Sequence, residues 1–339
     1  MTSEPVGAAS PRGLSRAAVR TARGGAGTRP GATHPKPELH RPDDPTPSGP
    51  AVVALGGGHG LATALRAARH YAGALTAVVS VADDGGSSGR LRRDLGVPAP
   101  GDLRKCLVAL AGADSVWRDA FEHRFRVGEL DGHALGNVVI VGLAETLGDF
   151  TAALDEAGRL LDAVGRVLPA TTDAVVLKAD VGGEAVEGQV AVANSPGRIR
   201  RVELVPEDAE ASPLAVAAIE LADQVVLAPG SLYTSLLPVL CVGQLRDAVA
   251  AARGRVVQVA NLRPQAPETA GLDATDQLKA VLEHGARVDT FLYQDGGELK
   301  ADDDAIREWG IEPIAADVAV TSGLAHDPGR LAGALRALL

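Results

Sequence analysis

Residues 51–60 read Ala51-Val52-Val53-Ala54-Leu55-Gly56-Gly57-Gly58-His59-Gly60, and this stretch decides the fold. Five small or branched apolar residues in a row describe a strand buried on both faces, the kind found in parallel sheets. Four glycines in the next five residues end it. Leu61, Leu65 and Ala68 then recur at helical spacing, so the unit reads strand, glycine turn, helix.

Outward from there the pattern repeats. Residues 75–82 (LTAVVSVA) predict a second strand, followed by Asp83-Asp84-Gly85-Gly86-Ser87-Ser88-Gly89-Arg90, read as a flexible loop. Helices are expected at 103–111, 115–125 and 134–147, with Asp102 a candidate N-cap for the first. Further strands are expected at 174–177, 202–205, 224–228, 255–260 and 288–293, and helices at 213–222, 236–252 and 275–283. Strands alternating with helices predict an α/β protein with a mostly parallel sheet. Residues 166–207 interrupt the alternation and read as a small β insertion.

Residues 1–49 differ in composition, with Pro, Gly, Ser and Arg prominent and seven Arg/Lys against four Asp/Glu. They predict a disordered basic tail, with residues 50–339 forming the folded domain. The whole chain of 339 residues carries a net charge of −10, which argues against coating nucleic acid. Aromatics are only 3% of the chain, so the core must be aliphatic. The apolar runs fall short of the roughly 18–20 residues that span a bilayer, so no membrane span is expected. The N-terminus lacks the ~7–15-residue apolar stretch of a secretory signal, and a cytoplasmic location is expected. Cys106 and Cys241 make neither a disulfide framework nor a zinc spacing and read as buried thiols.

In a doubly wound sheet, ligands bind beyond the carboxyl ends of the strands. Four polar loops follow predicted strands directly, at 56–60, 83–90, 229–235 and 261–269, and all should open on one rim. Gly57, Gly58, His59 and Gly60 open a helix, where backbone N–H groups and the helix dipole favour a phosphate; the alternative is a tight turn. The loop is not a Walker A sequence, and it fails the G-x-G-x-x-G spacing of an NAD site because Leu61 or Thr63 stands at the third position. Asp83 and Asp84, with Ser87, Ser88 and Gly89, suit a ribose, a sugar or hydrated Mg²⁺; an acidic surface turn is the alternative. Arg104 and Lys105 sit in a helix's first turn, where cations oppose the dipole and so point weakly to an anion. His133 is either a general acid/base or phosphate donor, or a structural hydrogen-bonder, and Asn137 lies one turn further on. Gly230, Ser231, Tyr233, Thr234 and Ser235 form a second glycine and hydroxyl cradle, with Asn261 on the next loop. Two cradles fit a diphosphate better than a lone phosphate.

Three stretches, residues 56–60, 81–91 and 229–235, resemble the YvcK family of gluconeogenesis factors, and residues 100–105 and 132–137 also fit. The resemblance covers about residues 51–330. It implies a Rossmann-like core with helices on both faces, shared with the CofD transferases, and a cytoplasmic UDP-sugar-binding factor needed for cell shape on gluconeogenic carbon. It also implies that both cradles hold the diphosphate, and that Asp102 matches an acidic residue used at the acceptor or metal site. Asp83, Asp84 and Asp102 are therefore candidate Mg²⁺ ligands, although no cofactor is required by the sequence. The alternative function is a CofD-type 2-phospho-L-lactate transferase, moving a phospholactyl group from a guanosine-diphosphate-linked donor to a deazaflavin acceptor, with Asp102 catalytic. A homo-oligomer is left open. The chain departs from the family at His59 (often Thr), at Gln277 (often His), and at Ala325 and Pro328, where an Arg-His-Asp-Thr pattern is common.

Overall fold

The structure, a computed structural model, describes residues 48–339, so all but the end of the expected tail lies outside the described residues. The strands are β1 (Ala51–Gly56), β2 (Ala74–Val79), β3 (Arg166–Pro169), β4 (Val176–Val181), β5 (Glu184–Glu187), β6 (Ile199–Val205), β7 (Gln224–Leu227), β8 (Arg255–Val259), β9 (Thr290–Gln294) and β10 (Glu312–Ala316). Seven form one sheet in the order β10-β9-β8-β7-β1-β2-β3, and every neighbouring pair is parallel. From β1 the chain moves outward to β2 and β3. It then returns to the other side of β1 at β7 and moves outward again to β10. The switch point therefore lies between β1 and β7, where Leu55 pairs with both Val78 and Leu227.

Residues 52–56 of β1 and all of β7 are buried. Successive strand residues face opposite sides, so both faces of the sheet are covered. In chain order the helices begin with α1 (Gly58–Ala68), α2 (Gly86–Leu95), α3 (Pro100–Leu110), α4 (Val116–Glu122), α5 (Leu135–Leu147), α6 (Phe150–Leu160) and a short α7 (Gln189–Ala193); α1, α3 and α6 pack on the large sheet, α2, α4 and α5 on other helices, and α7 on the insertion. The core is aliphatic, as the composition requires; Phe121 and Phe291 stand among Leu, Ile, Val and Ala. Cys106 is fully buried and Cys241 partly so. Among the described residues no helix is long and apolar enough to cross a membrane.

The insertion is a three-stranded antiparallel sheet, β5-β4-β6. It is smaller than expected, because residues 166–169 belong to the large sheet as β3. The burial patterns tell the two apart: three consecutive residues of β3 are buried, whereas β4 buries alternate residues on one face. Three further expectations change. The stretch 83–90 is a loop only to Gly85; Gly86 begins α2, with Ser87, Ser88 and Gly89 buried. Pro100 begins α3, so Asp102 sits in its first turn and Ala99 is the N-cap. The helix expected over 236–252 divides into Leu237–Leu240 and Gly243–Ala251, preceded by a π-helical turn at Leu232–Leu236. Strand β10, α6 and the helix Pro328–Arg336 were not anticipated.

Candidate functional site

The four polar loops do follow β1, β2, β7 and β8 at the carboxyl rim of the parallel sheet. Glycines let them close on one another. A Cβ on Gly60 would lie 1.9 Å from the Pro229 carbonyl oxygen, so α1 and the turn after β7 touch backbone to backbone. A Cβ on Gly57 would lie 2.7 Å from Asp102 Oδ2 and 3.2 Å from Ser235 Cβ, which joins α1 to α3 and to that same turn. A Cβ on Gly101 would lie 2.2 Å from Ser88 Oγ and 3.2 Å from Asp83 Oδ2, which joins α3 to α2. Ser87 Oγ lies 3.0 Å from His133 Nδ1 and accepts a 3.1 Å hydrogen bond from Asn137 Nδ2, which joins α2 to α5.

Four helix N-termini are thus linked in one chain of contacts. Their N-caps are Gly57, Gly85, Ala99 and Ala134, and none is closed by a side chain from its own cap residue. Asp149, Asp273, Asp302 and Asp327 each cap a helix with their own carboxylate, whereas the helices after Ser115, Gly188, Ser212 and Val242 also lack such a cap; what sets the four apart is that they meet one another at the rim. A helix start without a cap leaves N–H donors and the positive end of the dipole for another anion. Three of those donors are spent within the protein: Leu135 N–H bonds the His123 carbonyl, Asn137 N–H bonds the Ala134 carbonyl at 3.1 Å, and Gly85 N–H bonds the Asp83 carboxylate at 2.9 Å.

Charged groups stand among these helix starts. Burial raises the Asp83 carboxyl above its usual range; the Gly85 N–H at 2.9 Å pulls it down, and the nearby Asp102 charge adds to the rise. Asp102 Oδ1 accepts from Lys105 Nζ at 2.9 Å. His59 and His133 are both pushed below the usual imidazole value. For His59 the causes are partial burial and then Lys105, with Asp102 opposing; for His133 they are burial and then Arg90. Ser87 Oγ is thus held between Asn137 Nδ2, which donates to it, and His133 Nδ1, and the direction of the second bond follows the imidazole tautomer.

Several expected ligand groups are engaged inside the protein. Asp84 Oδ1 accepts from the Val190 N–H at 3.0 Å at the start of α7, so this side chain turns to the insertion. Arg104 is buried and donates to the Phe121 carbonyl at 3.3 Å, while its Nε has no partner among the described residues. Asn261 grips Gly230, accepting from its N–H at 2.7 Å and donating to its carbonyl at 2.9 Å, and is in turn tied to Gln277. The second cradle is filled. Glu268, buried and on the loop after β8, accepts from Tyr233 N–H at 2.7 Å, Thr234 N–H at 3.1 Å and Thr234 Oγ1 at 3.1 Å. Sequence reasoning missed Glu268 as a site residue, because its partners lie more than 30 residues away in the chain. With Asp84 turned aside, Asp83 and Asp102 remain as neighbouring carboxylates; among the described residues no three His, Cys, Asp or Glu side chains gather as a metal site.

Beside the glycine loop a cavity of about 520 Å³ opens between the ends of β1, β7 and β8, lined by His59, Gly60, Gly230, Arg263 and His326 among others. Burial pushes the His326 imidazole down to about 4, and its Nε2 is buried without a partner among the described residues. Ala325 lines the same cavity, at the position where the resemblance expects Arg. A second cavity of about 460 Å³ lies by the insertion, lined by Arg201, Cys241, Arg246 and His284. None of the rim residues above lines it, and His284 is already satisfied by the Val202 N–H and the Ala280 carbonyl.

A family model described as 2-phospho-L-lactate transferase CofD matches residues 52–323. A "Putative gluconeogenesis factor" of Mycobacterium leprae is 44% identical over 308 residues, covering 85% of this chain and 86% of that protein. The gluconeogenesis factor of Bacillus subtilis is 41% identical over 237 residues, covering 69% of this chain and 73% of that one. A crystal structure of a Bacillus halodurans protein superposes with a TM-score of 0.81 at 34% identity, covering 85% of this chain and 99% of that one.

Proposed function

The chain belongs to the 2-phospho-L-lactate transferase CofD family and stands among relatives named as gluconeogenesis factors; from that premise we propose that it is a cytoplasmic binding protein for a nucleoside-diphosphate-linked sugar, most simply a UDP-sugar. The observation that carries this reading is the run of four linked helix starts without side-chain caps. Their N–H groups and dipoles suit a diphosphate, which would lie against Gly57, Gly58, Gly60 and Ser87–Gly89. His59 is neutral near pH 7 and offers a ring N–H without adding charge. The adjoining cavity suits the nucleoside, with Arg263 and His326 as its polar groups. The turn at 229–235 serves as a wall, since its Tyr233 and Thr234 amides are engaged by Glu268. By kinship with the gluconeogenesis factors, the bound state would act in cell shape during growth on gluconeogenic carbon.

Equilibrium titration of the purified protein with UDP-N-acetylglucosamine and UDP-glucose tests this. Saturable binding of either supports it. A folded sample that binds neither at millimolar ligand overturns it.

One observation favours a second reading. Asp83 and Asp102 are two neighbouring carboxylates in a site built for an anion, and their charge opposes a diphosphate unless a cation lies between. Mg²⁺ is commonly held by one or two carboxylates together with substrate phosphates, so this pair fits the ion. When bound there, Mg²⁺ would neutralise charge on the donor's diphosphate and on the nucleoside monophosphate that leaves when the P–O–P bond breaks and the phospholactyl group passes to the acceptor, the chemistry of a CofD-type transferase. Asp102 would hold the ion, Lys105 would orient Asp102, and His133, held by Ser87, would offer its other ring nitrogen to the acceptor. Product analysis with a guanylyl-phospholactate donor and a deazaflavin acceptor decides the matter. An Asp102→Ala protein as active as wild type removes this mechanism.

A further inference from the structure

The turn at 231–235 follows a strand of the parallel sheet and presents N–H and O–H donors in the way anion cradles do, yet a side chain of the protein already sits in it. The Glu268 carboxylate takes the Tyr233 N–H, the Thr234 N–H and the Thr234 hydroxyl, and is 7% exposed. Its loop is itself braced: Thr269 N–H bonds the Gln265 carbonyl at 2.8 Å, and Gln265 N–H bonds Thr269 Oγ1 at 2.8 Å. The same loop carries Asn261, which grips both backbone groups of Gly230. The turn after β7 is therefore clamped at two points by the loop after β8. Its free side bears Ser235 against Gly57 and Gly230 against Gly60.

We propose that Glu268 is a resident anion and a positioning residue: its carboxylate takes the place a ligand phosphate would occupy and fixes the turn as a rigid wall for the glycine loop opposite. The consequence for recognition is specific. Only the cradle at 57–60 and its neighbouring helix starts remain for the ligand's phosphates, and their geometry is set by an internal carboxylate before any ligand arrives. A merely space-filling role for Glu268 would need no charge, whereas this one does. Burial raises the Glu268 carboxyl, and the donors from Tyr233, Thr234 and Ser231 pull it back toward the ionised form. The inference rests on the binding reading above for its effect on ligand, but not for its effect on the turn.

The test is chemical rescue. Glu268→Ala removes a methylene and a carboxylate, and acetate has that shape and charge. Without ligand, amide exchange at Tyr233 and Thr234 should quicken by about tenfold or more in E268A, the scale of losing one charge-assisted hydrogen bond. Acetate should restore protection, and chloride at equal ionic strength should not. UDP, used as the probe, should bind about tenfold more weakly to E268A and recover with acetate. Glu268→Gln keeps the shape and, with its amide oxygen at the two N–H groups and its NH₂ at the Thr234 hydroxyl oxygen, removes only the charge; the bonds from Tyr233 and Thr234 weaken, so their exchange should quicken with little loss of fold. This variant carries the test if E268A does not fold. Wild-type protection of both amides in E268Q, or an E268A defect that acetate leaves unchanged, overturns the inference. If wild-type protein binds no UDP while the exchange pattern and its rescue hold, this inference stands and the binding reading falls.

Discussion

Gly60→Ala puts the closure of the rim to a direct test. The added Cβ would lie 1.9 Å from the Pro229 oxygen, 2.5 Å from its carbonyl carbon and 2.8 Å from Gly230 Cα. All three are backbone atoms, so no rotamer change relieves them. Ordinary contact begins near 3.4 Å, so α1 and the turn must part by about 1.5 Å. Asn261 resists that movement, since it holds Gly230 through bonds of 2.7 and 2.9 Å. Overpacking with mobile side chains costs ~1–3 kcal/mol, and rigid backbone on both sides puts this substitution at or above about 3 kcal/mol. At ~2–4 °C per kcal/mol for a domain of this size, Tm should fall by roughly 6–12 °C. Urea unfolding gives the free energy, and titration with a UDP-sugar gives the effect on the site, which should weaken with the displaced glycine loop. Gly142→Ala is the control: Gly142 lies exposed within α5, nothing stands within 4 Å of its added Cβ, and alanine there should stabilise by about 0.5–1 kcal/mol. A G60A protein with unchanged urea midpoint and ligand affinity would refute the claim that the two loops meet.

Ser87→Ala should destabilise by about 1–3 kcal/mol in urea unfolding, because it strips Asn137 Nδ2 of its acceptor in a buried pocket where Asn137 Oδ1 already lacks a donor. Asp327→Ala removes the carboxylate that accepts from Arg330 N–H and should cost about 1 kcal/mol, measured the same way, without affecting UDP-sugar affinity. His326, held down to about 4 against 6.5 unfolded, stays neutral in the folded state while the unfolded chain takes up a proton. Stability should therefore be level above pH 6.5 and fall as pH drops from 6.5 toward 4, by at most about 3 kcal/mol; His326→Gln should flatten that part of the profile. Asp102→Asn should tighten diphosphate binding when Mg²⁺ is absent, since it removes a charge facing Gly57, and should blunt any gain from added Mg²⁺; titrations with and without the ion read both.

Local chemistry was enough for the scaffold. A five-residue apolar run entering four glycines can only be a buried strand turning tightly into a helix, and repeating that unit dictates parallel strands with their polar loops on one rim. The residues that line the rim were legible for the same reason: Gly57, Gly60, Asp83, Ser87, Asp102 and His133 all follow strands or open helices. Their partners were not legible. Helix α2 is rich in Gly and Ser and reads as a loop by propensity; it forms because Ser87, Ser88 and Gly89 are packed against α3, α5 and the backbone of Asp84. Asp84 and Asp83 are adjacent and chemically identical, yet one caps α7 in the insertion and the other faces Asp102, a division made by side-chain direction and by a helix start 106 residues on. Glu268 decides whether the turn at 231–235 is an empty cradle or a filled one, and nothing near it in sequence says so. The chain by itself determined where glycine-rich turns and helix starts would present backbone N–H groups, because backbone geometry is local. Only the tertiary structure decided which of those donors stay free, because the carboxylates that compete for them arrive from distant segments.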